Sequence, residues 1–112
     1  MQITQHAFQR LKERVNSEIT TEDAIKLAAK AYHQGKTSAH FIETDTEMFD
    51  YLMYKQSKYL DKNVTIRLLN DMLYIYDLDK RLLITCYQID FELWRKNNKN
   101  KKRYLQKTKY ML

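Results

Sequence analysis

Three short runs near the C-terminal half constrain this chain most: Val64-Thr-Ile-Arg-Leu-Leu69, Met72-Leu-Tyr-Ile-Tyr76 and Leu82-Leu-Ile-Thr-Cys-Tyr-Gln-Ile89. Each is rich in β-branched and aromatic residues, which favour the pleated, half-buried surface of a strand. Asn70-Asp71 and the five residues 77–81, centred on Leu78-Asp-Lys80, separate them. Spacers this short close antiparallel hairpins and cannot hold a helical crossover. Strands over about 64–69, 72–77 and 82–89 therefore form a three-stranded meander.

Before the meander the apolar period changes from two to near four. Ala7, Leu11 and Val15, with Phe8 beside them, make one stripe on a helix over about 4–15 capped by Thr4. A second helix over 21–34 starts at Thr20, with Asp23 three residues on, and stops at Gly35, a C-cap position. Its apolar residues include Ala24, Ala28 and Ala31, which suit close approach to another element. After a loop carrying His40 and Phe41, Thr44-Asp-Thr-Glu47 opens a third helix over about 46–60, with Met48, Phe49, Leu52, Met53, Tyr59 and Leu60 in helical period. The expected architecture is α+β: N-terminal helices packed on one face of a small antiparallel β-meander. With 112 residues there is room for one core. A single domain is expected over 1–93, followed by a basic tail over 94–112.

Charge is distributed unevenly. Residues 1–90 hold 12 Lys/Arg against 13 Asp/Glu, whereas residues 91–112 hold eight against one, Glu92. A near-neutral globule with a basic arm is the footprint of contact with a polyanion. RNA or DNA is the expected partner, with Arg67, Arg95, Lys96, Lys99, Lys101, Lys102 and Arg103 as candidate contacts. A lysine-rich terminus that is only solvated is the other reading of the tail. Arg67 is read either as an ordinary exposed strand residue or as a cation aimed into a site on the sheet.

Several functions are set aside. One glycine and no proline leave no phosphate-cradling glycine loop. The lone Cys86, in an apolar run, reads as a buried, inert thiol, and no CxxC pair points to zinc or an oxidising compartment. His33 and His40 lack a carboxylate or thiol at ligand spacing, so no metal and no cofactor is expected. The acids Glu43, Asp45, Glu47 and Asp50 complement the positive end of the third helix. No signal peptide and no membrane span is legible at the N-terminus or elsewhere, so the expected location is cytoplasmic. The oligomeric state is not legible.

Chemistry is concentrated on the first helix, where His6, Arg10 and Arg14 recur at i, i+4 and i+8. Four residues advance about 40° around a helix, so the three form one stripe. Guanidiniums grip phosphate bidentately, and a histidine titrating near neutrality can move a proton. The plain alternative is a solvated face on which Glu13 pairs with a neighbouring cation. On the last strand Thr85 and Tyr87 share a face opposite Ile84 and Cys86, where a hydroxyl and a phenol could bind a phosphate and stack a base. Nine tyrosines are core residues or base-stacking platforms; Tyr74 and Tyr76 share a face with Met72.

His6-x-x-x-Arg10-x-x-x-Arg14, a second helix, and a meander ending in Leu83-Ile-Thr85-x-Tyr87 together resemble small phage and mobile-element members of the barnase–EndoU–colicin–RelE superfamily. The resemblance covers roughly residues 3–35 and 63–89, with the third helix as an insertion and the tail as an addition. It implies a metal-independent ribonuclease or toxin in which His6 transfers the proton. Arg10 and Arg14 would then hold the scissile phosphate, and Thr85 and Tyr87 would complete the site. The RNA 2′-OH would attack its neighbouring phosphate and leave a cyclic phosphate. No further histidine lies on the matching strands, so Tyr87 would serve as the second acid–base group. The alternative is a non-catalytic nucleic-acid-binding protein, or an inhibitor of a host nucleic-acid-handling complex such as a CRISPR effector. In the enzyme reading an antitoxin is a further expected partner. A structural protein assembling through the third helix would leave the basic tail without a purpose.

Overall fold

A computed structural model describes residues 1–59 and 62–97. The element order is β1 (Gln2–Ile3), α1 (Gln5–Arg14), α2 (Thr21–Gln34), a 3₁₀ turn (Ser38–Phe41), α3 (Thr46–Ser57), β2 (Val64–Leu69), β3 (Met72–Asp77) and β4 (Leu82–Gln88). A last helix, α4, covers 91–97. The fold is α+β, with α1–α3 preceding β2–β4 in a four-stranded mixed sheet of order β1-β4-β3-β2. The meander closes as expected. Asn70 and Asp71 both take positive φ (51° and 64°), the geometry of a two-residue hairpin turn.

The fourth strand escapes the sequence pattern because it is two residues long. β1 runs parallel to β4, Gln2 beside Leu82 and Ile3 beside Leu83. Thr4 then joins it to the helix. Its N–H donates to the Leu83 carbonyl at 3.0 Å and its hydroxyl to the Ile84 carbonyl at 2.7 Å, while the same hydroxyl caps α1 by accepting from Ala7 N–H. One side chain thus starts α1 and fastens it to the sheet.

The helices do not share one face of the sheet. α1 and α2 cover Met72, Tyr74, Tyr76, Leu83 and Cys86, with Ala7, Leu11, Ala24, Ala28 and Ala31 wholly buried against them. α3 and α4 cover Leu73, Ile75, Val64 and Ile66 on the opposite face. The central strand β3 is therefore buried on both sides, which explains its unbroken apolar run Met72–Tyr76.

Gly35 ends α2, but not through a left-handed cap: its φ and ψ are −67° and 149°. Close approach requires it. A Cβ there would sit 2.4 Å from the Ala31 carbonyl oxygen and 2.8 Å from Arg67 Cβ. Below Gly35, Lys36 exchanges both backbone hydrogen bonds with Leu68 at 2.8 Å, which covers part of the β2 edge.

α3 is capped by Asp45, whose carboxylate accepts from Met48 N–H, not by Thr44. It ends at Ser57 rather than near 60, because Lys58 and Tyr59 donate three residues back and tighten the last turn. Its buried stripe is Tyr51, Leu52 and Lys55; Met53, expected inside, is 45% exposed. Val15, at the end of α1, is likewise exposed.

Residues 94–97 belong to the folded domain. Trp94 N–H donates to the Asp90 carbonyl at 3.0 Å, and Phe91 and Trp94 set their rings against Tyr51 at 5.6 and 5.4 Å. The basic tail expected from 94 thus begins as an amphipathic helix turn; positions 98–112 lie outside the described residues. No helix among the described residues is long and apolar enough to cross a membrane.

Candidate functional site

The α1 stripe exists, but the partners expected for it on β4 face away. β4 carries a bulge: Ile75 pairs with Thr85 and Tyr76 with Leu83, leaving Ile84 as the extra residue. Thr85 thus sits opposite Ile75, and Tyr87 opposite Leu73, on the α3 side of the sheet. The bulge also sends Ile84 to that side, so the simple alternation expected of Ile84 and Cys86 fails. α1 lies on the other side, over Leu83 and Cys86. His6, Arg10 and Arg14 are therefore separated from Thr85 and Tyr87 by the sheet, and the five do not meet in a cleft.

Beneath α1 on this side of the sheet lies Cys86. Burial pushes its thiol up to about 11, and the Arg10 and Arg14 charges act against that rise. The thiol is fully buried and protonated at neutral pH, an inert core residue. Arg10 is paired with Glu13 at 3.3 Å on the surface. His6 is exposed and makes no hydrogen bond or ion pair among the described residues.

Tyr87 instead joins a cluster that the sequence reading missed. Lys55 Nζ lies 5.3 Å from the Tyr87 ring centre, 5.4 Å from Tyr51 and 5.9 Å from Tyr54. Its side chain is 8% exposed, and Nζ reaches the Asp90 carboxylate at 3.2 Å. The Tyr51 hydroxyl donates to the same carboxylate, while Asp90 N–H donates back to that hydroxyl at 3.1 Å. Burial pushes the phenols of Tyr51 and Tyr87 well above the ordinary tyrosine value. A phenol raised in this way is harder to ionise near neutrality than an ordinary tyrosine. Burial also acts to raise Asp90, but hydrogen bonds from Tyr51 and Lys55 and the Lys55 charge outweigh it and hold the carboxyl below its ordinary value. The cluster fastens the start of α4 to α3. Lys55 falling in phase with the buried Tyr51 and Leu52 and the half-buried Met48 and Tyr59 was the signal: a lysine on the apolar stripe implies a buried partner.

Arg67, on the edge strand, lies on the α2 side opposite Tyr74. Its guanidinium carbon stands 4.8 Å over the Tyr32 ring. Its Nε is buried with no acceptor, and no carboxylate pairs with it among the described residues. It is thus neither an ordinary exposed residue nor an ion-pair member. Tyr32 in turn meets Tyr76 and His33 edge-on, at 5.3 and 5.4 Å. Tyr32, His33 and Tyr76 form part of the wall of a cavity of about 370 Å³, with Ala29, Asp77 and Arg81.

Of the expected nucleic-acid contacts on α4, Arg95 is engaged by Glu47 at 2.7 Å and by Glu92 at 3.9 Å, whereas Lys96 is exposed. Lys99, Lys101, Lys102 and Arg103 lie outside the described residues. Tyr74 and Tyr76 are core residues, not a stacking platform: Tyr76 donates its hydroxyl to the Ala28 carbonyl at 2.6 Å beneath α2. His40 accepts from the Thr37 N–H and shapes the 3₁₀ turn. Among the described residues no three His, Cys, Asp or Glu side chains gather as a metal would require.

Comparison with protein-family models, curated proteins and solved structures returned no match. The resemblance to the ribonuclease superfamily therefore rests on the quoted residues alone.

Proposed function

We propose that this protein binds nucleic acid electrostatically through its C-terminal basic segment, without the five-residue catalytic centre that the resemblance implied. One observation carries the reading. Through residue 97 the chain holds fourteen Lys/Arg and fourteen Asp/Glu, while residues 98–112 add six Lys/Arg and no acid. The whole net charge of +6 is thus attached to a neutral domain as a single block. Such a block binds phosphates without reading bases, since lysine and arginine contacts to the backbone position a strand and release counterions. The ribonuclease alternative loses its support because its proton-transfer residue and its phenol lie on opposite sides of the sheet.

The test uses end-labelled single-stranded RNA and duplex DNA in EDTA, with the full chain, a truncation after Asn97, and His6→Ala. The expected result is a gel shift of intact strands, kept by His6→Ala and lost on truncation. Cleavage that requires His6 and leaves cyclic phosphate ends would restore the enzyme reading.

A further inference from the structure

We propose that the cavity beneath the C-terminal half of α2 is a subsite for a single nucleotide, base inside and phosphate at its Arg81 side. The inference stands apart from the basic segment, because it uses none of residues 91–112.

Three features of the cavity point to this ligand. Its volume, about 370 Å³, falls at the lower end of small-molecule sites and suits one nucleoside unit rather than a larger ligand. Its walls are in part aromatic, with Tyr32, His33 and Tyr76 beside the aliphatic Met1, Ala29 and Leu78. Tyr32 and His33 are the two partly exposed rings and stand nearly perpendicular (89°), a corner that can take a flat heterocycle, with the buried Tyr76 beneath them holding Tyr32 edge-on at 77°. Tyr32 is also the ring on which the Arg67 guanidinium rests, and that guanidinium makes no ion pair among the described residues, so a positive charge lies behind the corner.

The third feature is Arg81. It lines the cavity, is exposed, and makes no ion pair among the described residues. Its φ of 50° places it in the left-handed region, which glycine or asparagine adopts at lower cost. That conformation closes the turn between β3 and β4, as the positive φ of Asn70 and Asp71 closes the other hairpin, and Arg81 is thereby placed at the cavity wall. The acid on the same wall, Asp77, is already engaged in the hairpin. Its Oδ1 accepts from the N–H groups of Asp79 and Lys80 at 3.0 and 3.1 Å. An anion at Arg81 therefore meets a carboxylate whose charge is partly offset by two N–H donors. A planar base joined to a phosphate satisfies the aromatic corner and the free guanidinium together.

The experiment is a titration of the ¹⁵N-labelled full chain with AMP, reading the backbone amides of residues 29–33 and 77–82. The expected result is a saturable shift of both groups. Ribose 5-phosphate and inorganic phosphate should act at least about tenfold more weakly, since they lack the base. Arg81→Gly should weaken AMP about tenfold, the worth of a charge-assisted hydrogen bond, without lowering the melting temperature, because glycine accepts the left-handed backbone. Ala29→Phe, which fills the cavity from α2, should abolish the shifts while α1 and α3 resonances stay in place. A single-stranded tetranucleotide that displaces AMP from these amides, in the full chain and after truncation at Asn97, would assign the subsite to a strand; without displacement it belongs to free nucleotide. Millimolar AMP that leaves both groups of amides unmoved overturns the proposal, as does unchanged affinity in Arg81→Gly. Failure of the gel shift has no bearing on it, since the reporter amides lie outside the basic segment.

Discussion

At Gly35 two opposing effects can be ranked. Its backbone is one that alanine adopts freely, so a Gly→Ala change would by itself stabilise by about 0.5–1 kcal/mol through the unfolded chain. The new Cβ, however, would meet a backbone oxygen at 2.4 Å and the Arg67 Cβ at 2.8 Å, neither able to swing aside. Overpacking of that kind costs about 1–3 kcal/mol, so Gly35→Ala should be destabilising by about 1–2 kcal/mol in urea unfolding. The sequence marked this glycine as a cap; what it could not reveal was the strand passing beneath, a contact between residues thirty-two positions apart. Lys55 and Asp90 allow a second ranking. Lys55 is buried and Asp90 is about half exposed. Removing the acid strands a buried ammonium, whereas removing the cation leaves a carboxylate that water can reach. Asp90→Ala should therefore cost about 1–2 kcal/mol and Lys55→Met less, with the double variant recovering part of the loss. The pH dependence has a definite sign. Asp90 is held below its ordinary 3.8 in the folded state, so its contribution is present above that value. It disappears as the pH falls through the lower folded value. Wild-type unfolding free energy should decline more steeply below pH 4 than that of Asp90→Asn, as followed by urea titration across the acid range.

Among the elements, boundaries set by turn chemistry or a sustained period were legible in the sequence. The three meander strands, the Thr4 and Thr20 caps and the α2 span all fall where periodicity and capping residues put them. What failed was information carried by tertiary pairing. β1 is too short for any period and exists because Leu82 and Leu83 offer an edge. The bulge at Ile84 has no local signature, yet it decides which side chains of β4 share a face. The stripe of α3 was read one position out of phase because tyrosine and lysine occupy its buried positions and Met53 does not. The candidate site failed for a related reason: a helix stripe and a strand pair can each be read from spacing, but which side of the sheet each occupies cannot. α4 gives a prediction at this scale. Ending the chain after Leu93 removes Trp94, whose ring contacts Tyr51, Tyr54 and Phe91, and also the Arg95–Glu47 pair. Loss of a half-buried tryptophan should cost about 2 kcal/mol, less than the full core penalty. Thermal melts of truncations after Leu93 and after Asn97, side by side, isolate the contribution of residues 94–97.

On the scale of the whole molecule, charge segregation makes binding a quantitative question. A neutral domain carrying six cations on one segment should show salt-dependent affinity set by the phosphates that segment neutralises. For a single strand each neutralised phosphate contributes about 0.7 to the slope of log K against log salt, so six give a slope of about −4. Fluorescence anisotropy with a labelled oligoribonucleotide between low and physiological salt measures it. After truncation at Asn97 the slope should collapse toward zero, because the remaining cations are matched one for one by acids and several, Arg10, Lys26, Lys55 and Arg95 among them, are already paired. Arg10→Ala and Arg14→Ala should leave the slope of the full chain unchanged. If truncation preserves the slope and those two substitutions reduce it, the strand lies along α1 rather than on the C-terminal segment. The basic block would then be a solvated terminus, and the first helix would regain the phosphate-binding role that its spacing implied.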